Sequence, residues 1–395
     1  MKKLYTIIAL LLVFNISKAQ WITANTGLTN LHIWSFAASG SNIFVGTDGG
    51  VFLSTNNGTS WTAANTGITS DTIFSLAISG SNIFAGTNSG GIFLSINNGS
   101  SWSPVNTGLP GNQAINSLVI NGTNIFAGIW GNIGEGVYLS TNNGGNWSAV
   151  NTGLTNLDVS PLAVNGTNVF AGTWGGGVFL STNNGGTWTA VNTGITNLDI
   201  DMVIINGTNT FVTTSGGGIF ISSNMGGTWT AVNTGLTQLD VAGFTISGTN
   251  LFAGTLGGVF LSTNNGSSWA TENTGLTNLD ISSLFVSGTN IFAGTFANGI
   301  FVRTLSDILG VDELQNEASF TIAPNPFTSK TNITFTNEQI NTTIKITDIL
   351  GNEIKTISFS GKEYTLEKDE MKAGIYFVQI TDANKNMVNR KVVVE

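Results

Sequence analysis

The sequence predicts an all-β protein: a seven-bladed β-propeller of four-stranded blades, closed by the N-terminal strand, followed by a small C-terminal β-sandwich. The first observation is a tryptophan that recurs every 40 to 45 residues from Trp21 to Trp269. The second is a composition of 51 glycines and only 5 prolines in 395 residues, which suits short strands joined by tight turns. The third is a change of composition near residue 305.

The recurring tryptophans define seven units. They occupy positions 21, 61, 102, 147, 188, 229 and 269, with separations of 40, 41, 45, 41, 41 and 40 residues. A period near forty with several strands per unit is typical of a propeller blade, whereas the coils of a β-solenoid have about 20 to 30 residues. An open β-solenoid is the competing fold.

Each unit contains four strand-like segments. In the last unit these begin with 281–286, 291–295 and 299–302, and in complete units a Ser-x-Asn-x-Gly-x-x-Trp hairpin leads to the fourth strand. β-Branched residues favour strands, and Gly and Asn tolerate the positive φ angles that hairpins need. Four strands per unit match a propeller blade.

The unit count predicts how the ring closes. Six complete hairpins begin at serines 54, 95, 140, 181, 222 and 262, and the seventh unit stops at Thr304 without one. Residues 21–24 have a fourth-strand sequence with no strands before it. We therefore expect 21–24 to complete the blade of 281–304, because such pairing removes two exposed sheet edges.

In these hairpins the chain resembles the Asp-box (BNR-like) propellers, which include sialidases, sortilin-type receptors and photosystem assembly factors. Their turn is Ser-x-Asp-x-Gly-x-Thr-Trp, and asparagine replaces the Asp in all six turns here. Asparagine can make the same local bonds to the backbone. The resemblance covers residues 21–304 and implies the fold; it implies little about function, since the box is a structural turn.

The first 20 residues are predicted to be a secretory signal peptide. Lys2 and Lys3 form its basic region, residues 5–14 its apolar region, and cleavage is expected near Ala19 or Gln20. An uncleaved anchor is the alternative, and no other segment is long enough to span a membrane. The exported chain has no cysteine, so it depends on packing and strand pairing. The net charge of −9 makes nucleic acid and anionic membranes poor partners.

A separate C-terminal module is predicted from the charge distribution. Residues 21–304 contain one basic residue, Arg303, whereas eight lysines and Arg390 follow it. Residues 305–317 are predicted to form a linker. Residues 318–395 are predicted to form a β-sandwich, with strands near 343–347, 354–357, 375–380 and 391–394.

This module looks like the type A sorting domain of the type IX secretion system of Bacteroidota. The resemblance rests on Ala-Pro-Asn-Pro-Phe, Asp-Ile-Leu-Gly, Ala-Gly-Ile-Tyr and a closing Lys-Val-Val-Val, with the motif residues Pro324, Asn325, Pro326, Asp348, Gly351, Gly374 and Tyr376. It implies recognition by the secretion machinery, export through the periplasm to the cell surface or medium, and removal of the domain. An ordinary accessory sandwich is the alternative.

Aligned units place a column of polar residues just before each inner strand. The column contains His32 in the first unit and, in four consecutive units, Asp158, Asp199, Asp240 and Asp280. Asp201 is expected on the same side of its strand as Asp199. A half-ring of carboxylates suits sugar hydroxyls or a cation such as Ca²⁺, although no cofactor or metal is required by the sequence. Alternatively, each Asp caps a turn and His32 fills a loop.

A second column follows the second strand of each unit and includes Trp130 and Trp174 on adjacent blades. Exposed indole rings would stack on sugars, whereas rings packed between blades would be structural. The recurring hairpin tryptophans are expected in the core.

Residue content excludes several enzyme classes. A cysteine nucleophile is impossible, and a Ser-His-Asp triad could use only His32. The resemblance implies that a sialidase would need an arginine cluster and a tyrosine, but the predicted propeller offers only Arg303 and Tyr138. A two-carboxylate glycosidase stays open, with a pool formed by Asp158, Asp199, Asp201, Asp240 and Asp280.

The favoured hypothesis is a non-catalytic binding propeller, secreted or displayed at the cell surface, that engages a neutral polysaccharide or a surface protein. The near-absence of charge favours neutral ligands, and repeated blades favour broad contact. The alternatives are a glycosidase and a purely structural or adhesive protein. Exposed Trp130 and Trp174 would favour the carbohydrate binder.

Overall fold

The computed structural model describes residues 20–309 apart from 71, 112 and 132–134, and residues 320–395 apart from 349–351, 370 and 382–386. The predicted signal peptide up to Ala19, most of the predicted linker and the motif residue Gly351 lie outside the described residues. The chain divides into two compact units, Met1–Ile308 and Leu309–Glu395, each with its own apolar core.

The first unit contains seven antiparallel four-stranded sheets, which confirms the predicted seven-bladed propeller. We number the blades in chain order, and in each of them the strand order in space follows the sequence. Strand β1 (Ile22–Thr23) precedes the first blade. Blade 1 contains β2 (Ile33–Ser39), β3 (Asn42–Thr47), β4 (Gly50–Ser54) and β5 (Thr62–Ala63), and blade 2 contains β6 (Ile73–Ser79), β7 (Asn82–Thr87), β8 (Ile92–Ser95) and β9 (Ser103–Pro104). Blade 3 contains β10 (Ala114–Asn121), β11 (Asn124–Trp130), β12 (Gly136–Ser140) and β13 (Ser148–Ala149), and blade 4 contains β14 (Val159–Asn165), β15 (Asn168–Thr173), β16 (Gly177–Ser181) and β17 (Thr189–Ala190). Blade 5 contains β18 (Ile200–Asn206), β19 (Asn209–Thr214), β20 (Gly218–Ser222) and β21 (Thr230–Ala231), and blade 6 contains β22 (Val241–Ser247), β23 (Asn250–Thr255), β24 (Gly258–Ser262) and β25 (Ala270–Thr271). Blade 7 contains β26 (Ile281–Ser287), β27 (Asn290–Thr295) and β28 (Ile300–Thr304).

The ring closes as the unit count predicts. Strand β1 pairs antiparallel with β28, with Ile22 opposite Val302 and Thr23 opposite Phe301. It is thereby the outer strand of the seventh blade, in the order β1-β28-β27-β26. The edge of β28, which the seventh unit would otherwise expose, is thereby paired, and such pairing reduces edge-to-edge association.

The core of the ring lies between neighbouring blades. The second strands are almost fully buried, and one cluster combines Phe126 of blade 3 with Phe179 and Trp188 of blade 4. The hairpin tryptophans are buried, as expected, and each donates its indole N–H to a carbonyl of the preceding blade, as Trp188 does to Val150 at 2.6 Å. These bonds satisfy the polar edge of each buried ring and fix the spacing of the blades.

The hairpins themselves are held by asparagine. In the turn after β16, Ser181 Oγ donates to Asn183 Oδ1 at 2.8 Å, and the same oxygen accepts the backbone N–H of Thr187 at 2.9 Å. The next two residues, Asn184 and Gly185, have φ angles of 55° and 83°. These residue types take left-handed angles at low cost, so the turn closes tightly before the tryptophan.

The second unit is β-rich, preceded by the five-residue helix α1 (Leu305–Leu309) at the start of the predicted linker. Its strands are β29 (Phe320–Ala323), β30 (Lys330–Asp348), β31 (Glu353–Glu367), β32 (Gly374–Thr381) and β33 (Met387–Val394). They form one hydrogen-bonded sheet in which β30 pairs with β29, β31 and β32. The short strands predicted near 343–347 and 354–357 are parts of β30 and β31, whose register shifts let one long strand serve both ends of the sheet.

Candidate functional site

The candidate site lies on the side of the ring where the inner strands begin and the second strands end, which we call the top face. Loops linking the second and third strands of each blade converge there with loops entering the next inner strand. Both predicted columns of site residues belong to these loops. Loops on one rigid scaffold are the usual carriers of binding residues.

The aspartate column has a structural role through its backbone. Asn156 Oδ1 accepts the N–H of Asp158 at 2.9 Å, and the Asp158 carbonyl accepts the N–H of Trp174 at 3.0 Å. The same pair of bonds recurs at Asp199 and at Asp280. These three aspartates thus terminate a turn and anchor the neighbouring loop through their backbones and not through their carboxylates. No group of three or more His, Cys, Asp or Glu in the described part of the chain is arranged to hold a metal ion.

Asp158 carries a perturbed carboxylate. Burial raises its pKa, and a weak hydrogen bond from the N–H of Gly131 to Oδ1, at 3.4 Å, opposes that shift. Gly131 directly follows Trp130, and Trp174 is bonded to the Asp158 carbonyl. Asp158 therefore lies between the loops that carry the two predicted platform tryptophans.

Trp130 and Trp174 are exposed at the top face, with 42% and 46% of their surface accessible. Neither side chain is enclosed between blades. Their indole rings are flat apolar surfaces on neighbouring blades. Exposed tryptophan of this kind costs solubility and is typical of a binding surface.

Other apolar side chains continue this surface around the ring. Leu256 and Phe296, which follow the second strands of blades 6 and 7, are 55% and 54% accessible. The residue before the aspartate column adds a further set of half-exposed side chains, Leu31, Leu198, Leu239 and Leu279. The top face therefore combines an apolar surface with recessed carboxylates.

His32 belongs to an aromatic row that the sequence did not indicate. Its ring lies 4.1 Å from those of Phe296 and Trp34, and Trp34 makes an edge contact with Phe74 at 4.8 Å. Asp48 fixes the row, because its two carboxylate oxygens contact His32 Nδ1 at 2.7 Å and the Trp34 indole N–H at 2.6 Å. The row extends from blade 7 across blade 1 to blade 2.

A bulge near the start of every inner strand builds the central channel. The strand pairing skips Trp34 between Ile33 and Ser35, and an equivalent shift occurs in all seven blades. The skipped residues and their successors line a cavity of about 310 Å³ on the ring axis. Lining residues come from the first half of each strand, so the cavity occupies the top half of the channel. We call it the upper channel.

Asp201 is the bulge residue of blade 5 and lines the upper channel. The regular alternation that would place it beside Asp199 is interrupted by the register shift between Ile200 and Met202. Burial, and then the charges of Asp240 and Asp199, raise its pKa from 3.8 to about 7. Bulges re-aim side chains, and a period-two pattern cannot reveal them.

The sorting-motif residues brace the C-terminal strand of the second unit. Asn325, between Pro324 and Pro326, donates to the Lys391 carbonyl at 3.0 Å and accepts the N–H of Val393 at 2.8 Å. Tyr376 donates its hydroxyl to the Lys372 carbonyl at 3.0 Å. The two other described motif residues take part in local pairing: Asp348 accepts the N–H of Asn352 at 2.9 Å, and Gly374 lies opposite Val394.

Residues 321–395 match the family model of the secretion system C-terminal sorting domain. This match confirms the sorting module predicted from the sequence and marks the protein for export to the cell surface or the extracellular space. Among the described residues, no helix combines the length and apolarity needed to cross a bilayer. A curated relative, an endo-acting ulvan lyase of Formosa agariphila, is 37% identical over 90 residues, which are 22% of this chain and 17% of the relative.

Solved propellers resemble most of the chain in fold. PorZ, an essential surface component of the type IX secretion system of Porphyromonas gingivalis, superposes with a TM-score of 0.59 at 15% identity, over 95% of this chain and 61% of PorZ. A GH74 enzyme of Niastella koreensis gives 0.55 at 19% identity, over 69% of this chain and 43% of the enzyme. The structure of YCF48 bound to a D1 peptide gives a TM-score of 0.56 at 16% identity, over 73% of this chain and 96% of YCF48. At these identities the likeness shows the fold alone.

Proposed function

We propose that the protein is an exported, non-catalytic binding propeller whose top face binds a neutral polysaccharide. The observation that carries this proposal is the exposure of Trp130 and Trp174 on adjacent blades of that face. Two flat rings on neighbouring loops form a platform on which successive sugar rings can stack through their apolar faces. The sorting domain supplies the location at which such a surface meets polysaccharide.

The surroundings of the two tryptophans support a sugar rather than a purely apolar ligand. Asp158 lies between their loops, bonded to Gly131 and Trp174 through its side chain and carbonyl. Its remaining lone pairs can accept hydrogen bonds from sugar hydroxyls. A few polar groups placed beside an aromatic platform give orientation and specificity in small-molecule sites.

The charge of the ring supports a neutral ligand. Arg303 is the single basic residue from Trp21 to Thr304, and it is buried. The described top-face loops therefore offer carboxylates and no lysine or arginine to pair with sulfate or uronate groups. An anionic polymer would meet repulsion there, whereas hydroxyl groups would meet acceptors.

The proposal is tested by binding of the purified chain to a panel of neutral polysaccharides, for wild type, Trp130→Ala and Trp174→Ala. Each substitution is expected to weaken binding about tenfold, the loss of roughly one stacking contact. The matched control is Ile96→Ala, since Ile96 is 71% accessible but lies in the hairpin after the third strand, away from the top face. Binding that survives both tryptophan substitutions, or that Ile96→Ala weakens equally, would contradict the proposal.

A glycosidase is the second candidate, because the pKa of Asp201 is raised to about 7. A carboxylic acid that keeps its proton near neutral pH can serve as a general acid, with Asp240 or Asp199 as the second carboxylate. Release of reducing ends from the bound polysaccharide, abolished by Asp201→Asn, would establish this activity. Binding without release supports the non-catalytic propeller, and exclusive binding of a surface protein would replace the polysaccharide.

A further inference from the structure

Two bulge residues of the upper channel carry unsatisfied polar atoms. Asn116 Oδ1 and Asp201 Oδ2 are buried and have no hydrogen-bond partner among the described protein atoms. Both residues line the cavity, and they come from blades 3 and 5. A buried polar atom without a partner costs about 1–3 kcal/mol, so each of these atoms favours a molecule that hydrogen-bonds to it.

Neighbouring polar groups on the channel wall are, by contrast, satisfied within the protein. Ser75 donates to the Ile115 carbonyl at 2.9 Å, and Ser282 donates to the Ile33 carbonyl at 2.6 Å. Ser117 accepts the N–H of Leu162 at 3.1 Å. These bonds tie one inner strand to the next, so they hold the ring together. Ser35 and Ser283 belong with this set, because their hydroxyls lie against Gly46 and Gly294 of the second strands, on the faces between blades. The unsatisfied oxygens of Asn116 and Asp201 belong to bulge residues and have no such partner.

An apolar wall completes the cavity. Trp34 and Phe74 line it on blades 1 and 2, and their edge-to-face contact fixes the two rings. The indole N–H of Trp34 is held by Asp48, so the ring cannot rotate away without losing that bond. A fixed aromatic surface in the same cavity as two unsatisfied oxygens matches the two faces of a sugar, which has apolar C–H groups and hydroxyls.

We propose that the upper channel is a subsite for one terminal neutral sugar unit, held by Asn116 and Asp201 against the Trp34–Phe74 wall. This inference rests on the proposed function and deepens it, since it gives the propeller a preference for chain ends. The cavity, at about 310 Å³, lies at the lower end of the range of about 300–1,000 Å³ for small-molecule sites. It therefore has room for one ring, which suits a chain end, whereas an internal unit would need room for a neighbour on each side.

Asp201 gives the subsite a pH dependence. Sugar hydroxyls donate to a carboxylate, and hydrogen bonds to the charged form stabilise that form. Its raised pKa, about 7, means that the carboxylate ionises within an accessible pH range. The other titratable groups acting on it are Asp240 and Asp199, both acidic. Affinity is therefore expected to rise as the pH increases through about 7.

The test uses methyl glycosides of glucose, galactose, mannose and xylose as probes, titrated calorimetrically into the full chain. At least one is expected to bind about tenfold more tightly near pH 8.5 than near pH 5.5, as charge-assisted bonds are stronger than neutral ones. Asp201→Asn is expected to abolish the pH dependence and to weaken binding. Asn116→Ala is expected to weaken binding and keep the pH dependence, which provides a second variant if Asp201→Asn folds poorly. Asp280→Asn distinguishes the two places at which a sugar could bind, because it alters a top-face carboxylate that does not line the cavity.

The outcomes separate this subsite from the proposed function. Polysaccharide binding that needs Trp130 and Trp174 but is unchanged in Asp201→Asn and Asn116→Ala overturns the subsite and leaves the top-face proposal standing. Absence of binding by every methyl glycoside, with polysaccharide still bound, has the same meaning. Absence of all glycan binding overturns both. Glycoside binding that Asp280→Asn weakens as much as Asp201→Asn places the sugar outside the channel and also overturns the subsite.

Discussion

The guanidinium of Arg303 lies 3.0 Å from the carboxylate of Glu272, and this buried ion pair joins the seventh blade to the sixth. A second nitrogen of Arg303 donates to the carbonyl of Asp307 at 2.9 Å. The backbone carbonyl of Glu272 also accepts the indole N–H of Trp21, from the strand that closes the ring. Glu272 therefore connects three segments at the closure, and the single basic residue of the ring is used there.

Removing the charge of Glu272 is expected to destabilise the ring. Glu272→Gln leaves the Arg303 guanidinium, 2% accessible, without its counter-charge. Breaking a buried pair costs about 3–5 kcal/mol, and the partial exposure of Glu272 places the expected loss near the lower limit. Urea unfolding followed by tryptophan fluorescence measures it, because all ten tryptophans lie between residues 21 and 269 and report on the propeller alone.

The control is the double variant Arg303→Met with Glu272→Met. Replacing both charges with apolar groups of similar length removes the desolvation cost together with the attraction, so most of the stability is expected to return. A single variant as stable as wild type would show that the pair does not stabilise the closure.

Met225 occupies a turn position that disfavours it. Its φ is 57°, and the five equivalent positions, 57, 98, 143, 184 and 265, all carry asparagine at 55–56°. Left-handed geometry costs an ordinary residue about 1–2 kcal/mol, and asparagine less. Met225→Asn is therefore expected to stabilise the propeller by about 0.5–1 kcal/mol in thermal or urea unfolding. The reverse change at an equivalent turn, Asn184→Met, is expected to destabilise the propeller by a similar amount. If both changes shifted the stability in the same direction, the backbone argument would be contradicted.

The raised pKa of Asp201 predicts that this group destabilises the fold as the pH rises. Its pKa is 3.8 in the reference state and about 7 in the folded protein. Between these values the folded protein holds a proton that the unfolded chain has released, so the contribution to the free energy of unfolding falls with rising pH and is lost above about 7.

Asp201→Asn removes this ionisation at nearly constant volume. The variant is expected to exceed wild type in stability by about 2–4 kcal/mol near pH 8, and the difference is expected to vanish near pH 4. Urea midpoints across that range measure the difference between the two proteins, in which the contributions of the other carboxylates cancel. A constant difference across the range would show that Asp201 titrates normally.

The fold was predictable because each blade repeats the same local chemistry. Strand alternation, turn glycines and the recurring tryptophan give seven independent indications of one structure, and the unmatched segment at Trp21 specifies the closure. The lengths of the strands in the second unit were harder to predict from the sequence. Bulges let β30 continue where turn-like residues suggested an end, since pairing across the sheet overrides local preference.

The candidate site was predictable only in part. The loops carrying Trp130 and Trp174 could be placed by aligning the units, but the exposure of the rings depends on the packing of neighbouring blades. The upper channel was not visible in the sequence. Its residues, such as Trp34 and Asn116, occupy bulge positions that break the alternation used to assign strand faces. Seven aligned copies of a one-residue irregularity are the signal that would have revealed it.

The sorting domain predicts where a truncated protein will accumulate. Residues 321–395 match the family model for secretion-system sorting, so a chain that lacks residues 320–395 is expected to stay in the periplasm while the propeller still folds. Cell fractionation with detection of the propeller measures this directly. Ile340→Ser is the control, because Ile340 is 70% accessible and its replacement leaves the sheet intact. Asn325→Ala tests the motif more finely: it removes both hydrogen bonds to the last strand, at Lys391 and Val393, and is expected to reduce surface delivery. Wild-type surface levels of the truncated chain would show that the address lies elsewhere in the protein.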